Sequence, residues 1–128
     1  MIKAYLAGIA SPYEGEDIEV RYCIYEDLEL LCKESVLMEY VKPAIVGQVA
    51  LILLLKKLKK QMDKEIVIIV NDTALYESIR GTLKTKNEDV LEMARKTRKK
   101  LSEFGNSVIK DVSGDHVELA KWNEVLKF

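Results

Sequence analysis

The residue best placed for chemistry is Asp72, which lies just beyond the apolar run Ile66-Val67-Ile68-Ile69-Val70 and directly before Thr73. A carboxylate at the end of a buried strand can hold a divalent cation. The same carboxylate can serve only as the N-cap of the following helix, a role worth about 1 kcal/mol. Other chemically active side chains are sparse. The chain has one histidine, His116, and two cysteines, Cys23 and Cys32, too few for a soft-ligand metal site. Without a secretion leader, the two thiols read as reduced core residues rather than a disulfide framework. Arg95, Lys96, Arg98, Lys99 and Lys100 form a basic cluster that could follow nucleic-acid phosphates or simply be a solvated helix face. Glu88, Asp89, Glu92 and Glu103 dilute it. Tyr5, Tyr13, Tyr22, Tyr25 and Trp122 could stack on bases if exposed, although aromatics on strands and terminal helices more often pack.

A chain of 128 residues, 48% of them hydrophobic, can build one substantial core, so a single domain spanning 1–128 is expected. The net charge of −1, from 20 basic and 21 acidic residues, gives no global signal for a polyanion partner. Any nucleic-acid surface must be local. Met1-Ile2-Lys3-Ala4-Tyr5-Leu6 lacks the charged lead and long apolar stretch of a secretion signal. The longest apolar run, Ala44 to Leu55, falls short of the roughly 20 residues of a membrane span. A cytoplasmic protein without membrane contact is therefore expected.

The elements that must position these residues follow from periodicity. Ile2 to Gly8 reads as a strand, followed by the turn-prone Ala10-Ser11-Pro12-Tyr13-Glu14-Gly15. From Ile18 to Tyr25 apolar and polar residues alternate with a period of two, and Leu28 to Met38 reads as the hairpin partner. Pro43 suits the first turn of a helix that continues to near Met62, with Lys56-Lys57-Leu58-Lys59-Lys60 near its end, where the dipole favours cations. Ile66 to Val70 reads as a central strand covered on both faces. Asn71-Asp72-Thr73 then starts a helix through Arg80, which Gly81 terminates. Asn87 to Phe104 is an amphipathic helix with Val90, Leu91, Ala94, Leu101 and Phe104 as its apolar positions. Ser107 to Val112 is a fifth strand, and Val117 to Leu126 a closing helix.

This order, with Val67-Ile68-Ile69-Val70-Asn71-Asp72-Thr73 leading into a helix ended by Gly81, resembles the ribonuclease H type 1 family. Thr85-Lys86-Asn87 and Val108-Ile109-Lys110-Asp111-Val112 are similar to the segments that open the family's next helix and form its fifth strand. The likeness spans nearly the whole chain. It implies an α/β ribonuclease H-like fold: a mixed five-stranded sheet, three antiparallel strands then two more, with helices on both faces. Between Gly81 and Asn87 there is no room for the extra basic helix that some members use as a substrate handle.

The resemblance also implies an activity, cleavage of the RNA strand of an RNA–DNA hybrid by two divalent cations about 4 Å apart, held by converging carboxylates. Only Asp72 matches one of the family's acids. The others fall on Ala7, before Gly8; on Gly47, before the Ala50 run; and on Lys121, after Ala120. A lone carboxylate holds magnesium weakly, and a lysine nearby would compete with the ion. The implied reading is a degenerate member that has lost hydrolysis, needs no cofactor, and binds RNA–DNA hybrid or other nucleic acid or serves as a protein-interaction module. A second reading keeps a magnesium- or manganese-dependent nuclease in which Asp72 works with relocated acids: Asp115, Glu118, or the loop residues Glu14, Glu16 and Asp17. A third is a structural or homodimerising module without nucleic-acid contact. His116 lies near where active members carry a histidine that assists product release, but a solitary turn histidine is weak evidence of that role.

Overall fold

The computed structural model describes residues 1–128 and contains five strands and four α-helices. In chain order these are β1 (Ile2–Ile9), β2 (Ile18–Glu26), β3 (Glu29–Met38), α1 (Val46–Lys57), β4 (Ile66–Val70), α2 (Thr73–Arg80), α3 (Glu88–Leu101), β5 (Ser107–Asp111) and α4 (His116–Val125). The sheet order is β3-β2-β1-β4-β5. β1, β2 and β3 pair antiparallel, while β4 joins β1 and β5 joins β4 in parallel.

Local chemistry accounts for this arrangement. Glu26 pairs with Glu29, so Asp27 and Leu28 alone make the β2–β3 turn, and Asp27 accepts the left-handed φ of 53° that such a tight turn demands. β3 and β4 lie on opposite sides of the β2–β1 pair, so α1 carries the chain across the sheet between them; β4 and β5 are parallel partners, which a tight turn cannot join, so α2 with α3 carries the chain from one to the other.

The period-two alternation divides the sheet's side chains between two cores. Ile2, Ala4, Leu6, Val20, Ile68 and their neighbours pack under α1, with Leu75 of α2 and Phe104 beyond α3. Tyr5, Ala7, Cys23 and Ile69 point the other way and meet Leu126, Leu119 and Trp122 on the side of α4. Helices therefore cover both faces, as the resemblance implies. No helix is long and apolar enough to cross a membrane.

Several boundaries differ from the expected ones. The helix anticipated from Pro43 to Met62 is broken into a 3-10 turn (Pro43–Ile45), α1, and a second 3-10 turn (Lys59–Gln61). Leu58, fully buried, pins the chain at the end of α1, which must then reverse within the seven residues before β4. α3 stops at Leu101 rather than Phe104, because the Ser102 hydroxyl donates back to the Lys99 carbonyl and Phe104 turns into the core. Leu91 is 36% exposed, and the unanticipated Thr97 is fully buried, donating to the Met93 carbonyl. Tyr5 and Tyr22 are core residues, while Tyr13 is exposed. The Trp122 indole N–H donates to the Leu6 carbonyl at 3.1 Å, fastening α4 to β1.

Candidate functional site

Asp72 follows β4 and is the N-cap of α2, where its Oδ1 accepts from the Leu75 amide at 2.9 Å. Parallel pairing of β1 with β4 places this cap beside the end of β1. The N-terminal turn of α1 crosses at the same place. There Gly8 is packed so tightly that a Cβ on it would lie 3.0 Å from the Ala50 Cβ. The result is a small cleft of about 70 Å³ lined by Ala7, Gly8, Gly47, Asn71, Asp72 and Trp122. The structure thus gathers Ala7, Gly47 and Asp72, positions far apart in the chain. Lys121 is exposed on α4, next to the Trp122 that reaches this cleft.

Gly47 and Asp72 are more than neighbours. A Cβ built on Gly47 would lie 2.5 Å from Asp72 Oδ2, so the carboxylate occupies the space a side chain at position 47 would enter. Gly47→Ala should therefore gain about 1 kcal/mol of helix propensity yet disturb the cap by a similar amount. In a double-mutant cycle the same substitution made on Asp72→Ala should be stabilising by that propensity alone. Thermal or urea unfolding of the four proteins measures the coupling, expected at about 1 kcal/mol.

A second carboxylate, which no motif in the sequence marks out, stands next to Asp72. Register places Asp111 opposite Val70 at the end of β5. Its Oδ1 accepts from the Asp72 amide at 3.2 Å, from the Ser113 amide at 3.2 Å and from the Ser113 hydroxyl at 2.6 Å. Its Oδ2 accepts from the Thr73 hydroxyl at 2.9 Å. The signal available in the sequence was an acid ending a strand predicted to lie in the same sheet as β4.

The two acids are driven in opposite directions. Burial pushes the Asp72 carboxyl above its usual range; the Leu75 amide pulls it back and the Asp111 charge adds to the rise. Burial acts upward on Asp111 as well, but donors from Ser113, Thr73 and the Asp72 amide together outweigh it and hold Asp111 below the usual range. A raised carboxyl pKa means that the folded state favours the neutral form. Asp72 therefore contributes stability below its unfolded pKa, and that contribution is lost as pH rises through the higher folded value. Asp72→Asn retains a good cap. It should melt higher than the parent at neutral pH, with the difference shrinking as pH falls toward the unfolded aspartate value, as calorimetry at several pH values would show.

Of the relocated acids named from the sequence, Asp115, Glu118 and Glu16 have partners of their own. Asp115 caps α4 by accepting from the Glu118 amide, and Glu118 faces Lys110 at 4.0 Å. Glu16 accepts from the Ser11 hydroxyl within the β1–β2 loop, and Glu14 lines a separate depression with Tyr40 and Pro43. Asp17 has no side-chain hydrogen bond, and His116 is the exposed first residue of α4. No three His, Cys, Asp or Glu side chains come together closely enough to share an ion. The donor set around Asp72 therefore does not fit a pair of divalent cations: one Asp72 oxygen caps a helix, and both Asp111 oxygens are taken by protein donors.

Beyond Asp72 the cleft opens into a groove of about 340 Å³ between the N-terminal turns of α1 and α3 and the loop joining α2 to α3. Gln48, Lys84, Thr85 and Asn87 line it. The Asn87 oxygen caps α3 by accepting from the Asp89 and Val90 amides, leaving its NH2 group as a donor. Lys42 stands nearby, paired with Asp89 at 2.8 Å.

Strand order, pairing directions and the placing of α1 to α4 define a ribonuclease H-like fold. Among solved structures, the chain superposes on the ribonuclease H1 of Halobacterium salinarum with a TM-score of 0.77, at 17% identity, over 91% of this chain and 89% of that one. It matches LC11-RNase H1, solved in complex with RNA/DNA hybrid, with a TM-score of 0.78 at 18% identity over 98% and 94% of the two chains. For the N-terminal RNase H domain of Rv2228c from Mycobacterium tuberculosis the TM-score is 0.72 at 14% identity, over 87% and 86%. No protein-family model and no curated protein sequence matches the chain. At these identities the likeness is one of fold.

Proposed function

We propose that this chain is a cytoplasmic ribonuclease H-like domain that binds nucleic acid, RNA–DNA hybrid foremost, without two-metal hydrolysis. The observation that carries this reading is the junction at Asp72. Here the fold brings together positions 7, 47 and 72 with a single carboxylate among them, and opens beside that carboxylate a groove also lined by the Gln48 and Asn87 amides, the Thr85 hydroxyl and Lys84. Such groups suit phosphate oxygens and carry no base code. That a protein of this fold has been solved with an RNA/DNA hybrid supports the choice of ligand. The proximity of Asp111 favours the nuclease as the alternative, and cleavage assays separate the two.

Binding is tested by fluorescence anisotropy of a short labelled RNA–DNA hybrid titrated at several salt concentrations. Affinity should fall linearly on logarithmic axes as salt rises. Lys84→Gln should weaken binding and reduce the salt slope by about 1, the signature of one phosphate no longer neutralised. No binding of the parent protein at low salt would overturn the proposal.

A further inference from the structure

We infer that the lysines at the far ends of α1 and α3 form a second surface for a nucleic-acid backbone, separate from the groove beside Asp72. This rests on the nucleic-acid reading above. α1 carries Gly47 at the Asp72 end and Lys56 and Lys57 at the other, with Lys59 and Lys60 in the 3-10 turn beyond. The nine residues from Gly47 to Lys56 rise about 14 Å, so the two regions are distinct.

α3 packs along α1 and brings a second set of cations to the same end. Lys56, Lys59 and Lys100 line one depression over Leu55, Met62 and Phe104, and Glu103 is the one acid in its wall. Lys60 and Lys99 are exposed on the same two segments. The lysines that have acidic partners are elsewhere: Lys42 with Asp89, Lys64 with Glu26, Lys96 with Glu92 and Lys110 with Glu118. Lys56, Lys59, Lys60, Lys99 and Lys100 have neither an ion pair nor a side-chain hydrogen bond. Arg98 does not belong to this surface, since it donates to the Ser78 carbonyl and ties α3 to α2.

Two helix C-termini meet here, and their dipoles favour nearby cations by about 0.3–1 kcal/mol each within the last turn. That accounts for one or two lysines. Five at the ends of these two helices and the 3-10 turn after α1 repel one another, and the unneutralised charge is available to an anion. Lys56, Lys59 and Lys100 share one depression, so their side chains can reach neighbouring phosphates of one backbone. A lipid surface would call for apolar side chains exposed among the cations. Here Leu55 and Phe104 are buried and Met62 is half-buried. A nucleic-acid backbone is the ligand this surface fits.

The test compares three proteins with the parent in salt-dependent anisotropy titrations of labelled RNA–DNA hybrid and of duplex DNA. They are Lys56→Gln/Lys59→Gln/Lys100→Gln, the control Lys33→Gln/Lys110→Gln/Lys127→Gln from the α4 side, and Lys84→Gln from the groove. Circular dichroism melts confirm that each is folded. The patch variant should bind about tenfold or more weakly at low salt, and on duplex DNA its salt slope should be shallower by about 0.9 for each phosphate left without its lysine; the charge-matched control should stay near the parent. Binding by the patch variant equal to that of the control, while Lys84→Gln is weakened, would overturn this inference and leave the groove reading intact. Weakened binding by the patch variant with Lys84→Gln unaffected would support the inference and count against the groove. A parent that sediments with phosphatidylserine vesicles but binds neither nucleic acid would overturn both.

Discussion

RNA–DNA hybrid incubated with this protein and either magnesium or manganese should remain uncut. Two-metal hydrolysis requires several carboxylates converging on a pair of cations, because the ions must hold the attacking and leaving oxygens in line. At the junction where positions 7, 47 and 72 meet, two of the three side chains are methyl or hydrogen. Asp72 brings one carboxylate, with Oδ1 accepting from the Leu75 amide and Oδ2 crowded against the backbone of α1. Asp111 supplies a second carboxylate nearby, but Thr73, Ser113 and the Asp72 amide donate to its oxygens. Recruiting it to a cation would break that network. Misplacing a catalytic group by about 1 Å can cost about a hundredfold in rate, and no third carboxylate stands close enough to these two to share an ion. The expected result on a sequencing gel is therefore no cleavage above a buffer control. Metal-dependent cleavage that disappears in Asp72→Asn would establish the nuclease reading instead.

Removing Asp111 should be the most damaging of the single changes to the site. Asp111→Ala leaves the Asp72 amide, the Thr73 hydroxyl and the Ser113 amide without their acceptor at the point where β5, α2 and the turn into α4 meet, while the Ser113 hydroxyl keeps Asn71 Oδ1. Hydrogen bonds to an ionised group are worth about 1.5–3 kcal/mol each when shielded, but these are largely open to solvent, so a total loss of about 2 kcal/mol is expected. The effect should depend on pH in the opposite sense to that of Asp72. The folded state holds the Asp111 carboxyl below its usual value, so its stabilisation is present above the unfolded pKa and is lost as pH falls through the depressed folded one. Urea unfolding of parent and variant should show the full difference at neutral pH and a diminishing one in strong acid. An equal difference at every pH would mean that the charge of Asp111 is irrelevant to its role.

Much of the architecture was legible along the chain because it is local. The alternation from Ile18 to Tyr25 reports a strand with one face in the core. The β-branched run before Asp72 reports a strand between neighbours and Asp72 the cap of the next helix, whereas the caps Asn87 and Asp115 emerge from the structure. Boundaries were less legible where tertiary contacts override propensity. Leu58 and Phe104 continue an apolar pattern, yet each is drawn from its helix into the core.

The sequence by itself determined the order of elements, the faces they bury and the single acid at position 72, because a period of 2.0 or 3.6 and the chemistry of a cap are properties of neighbouring residues. Only the tertiary structure decided what surrounds that acid. Asp111 reaches it through the parallel register of β4 with β5 across 39 residues of sequence, and Gly47 reaches it through the angle at which α1 crosses the sheet end. The same packing of α3 along α1 gathers Lys56, Lys59 and Lys100 into one surface. Register and packing between distant segments depend on how two buried faces fit, which no local pattern records.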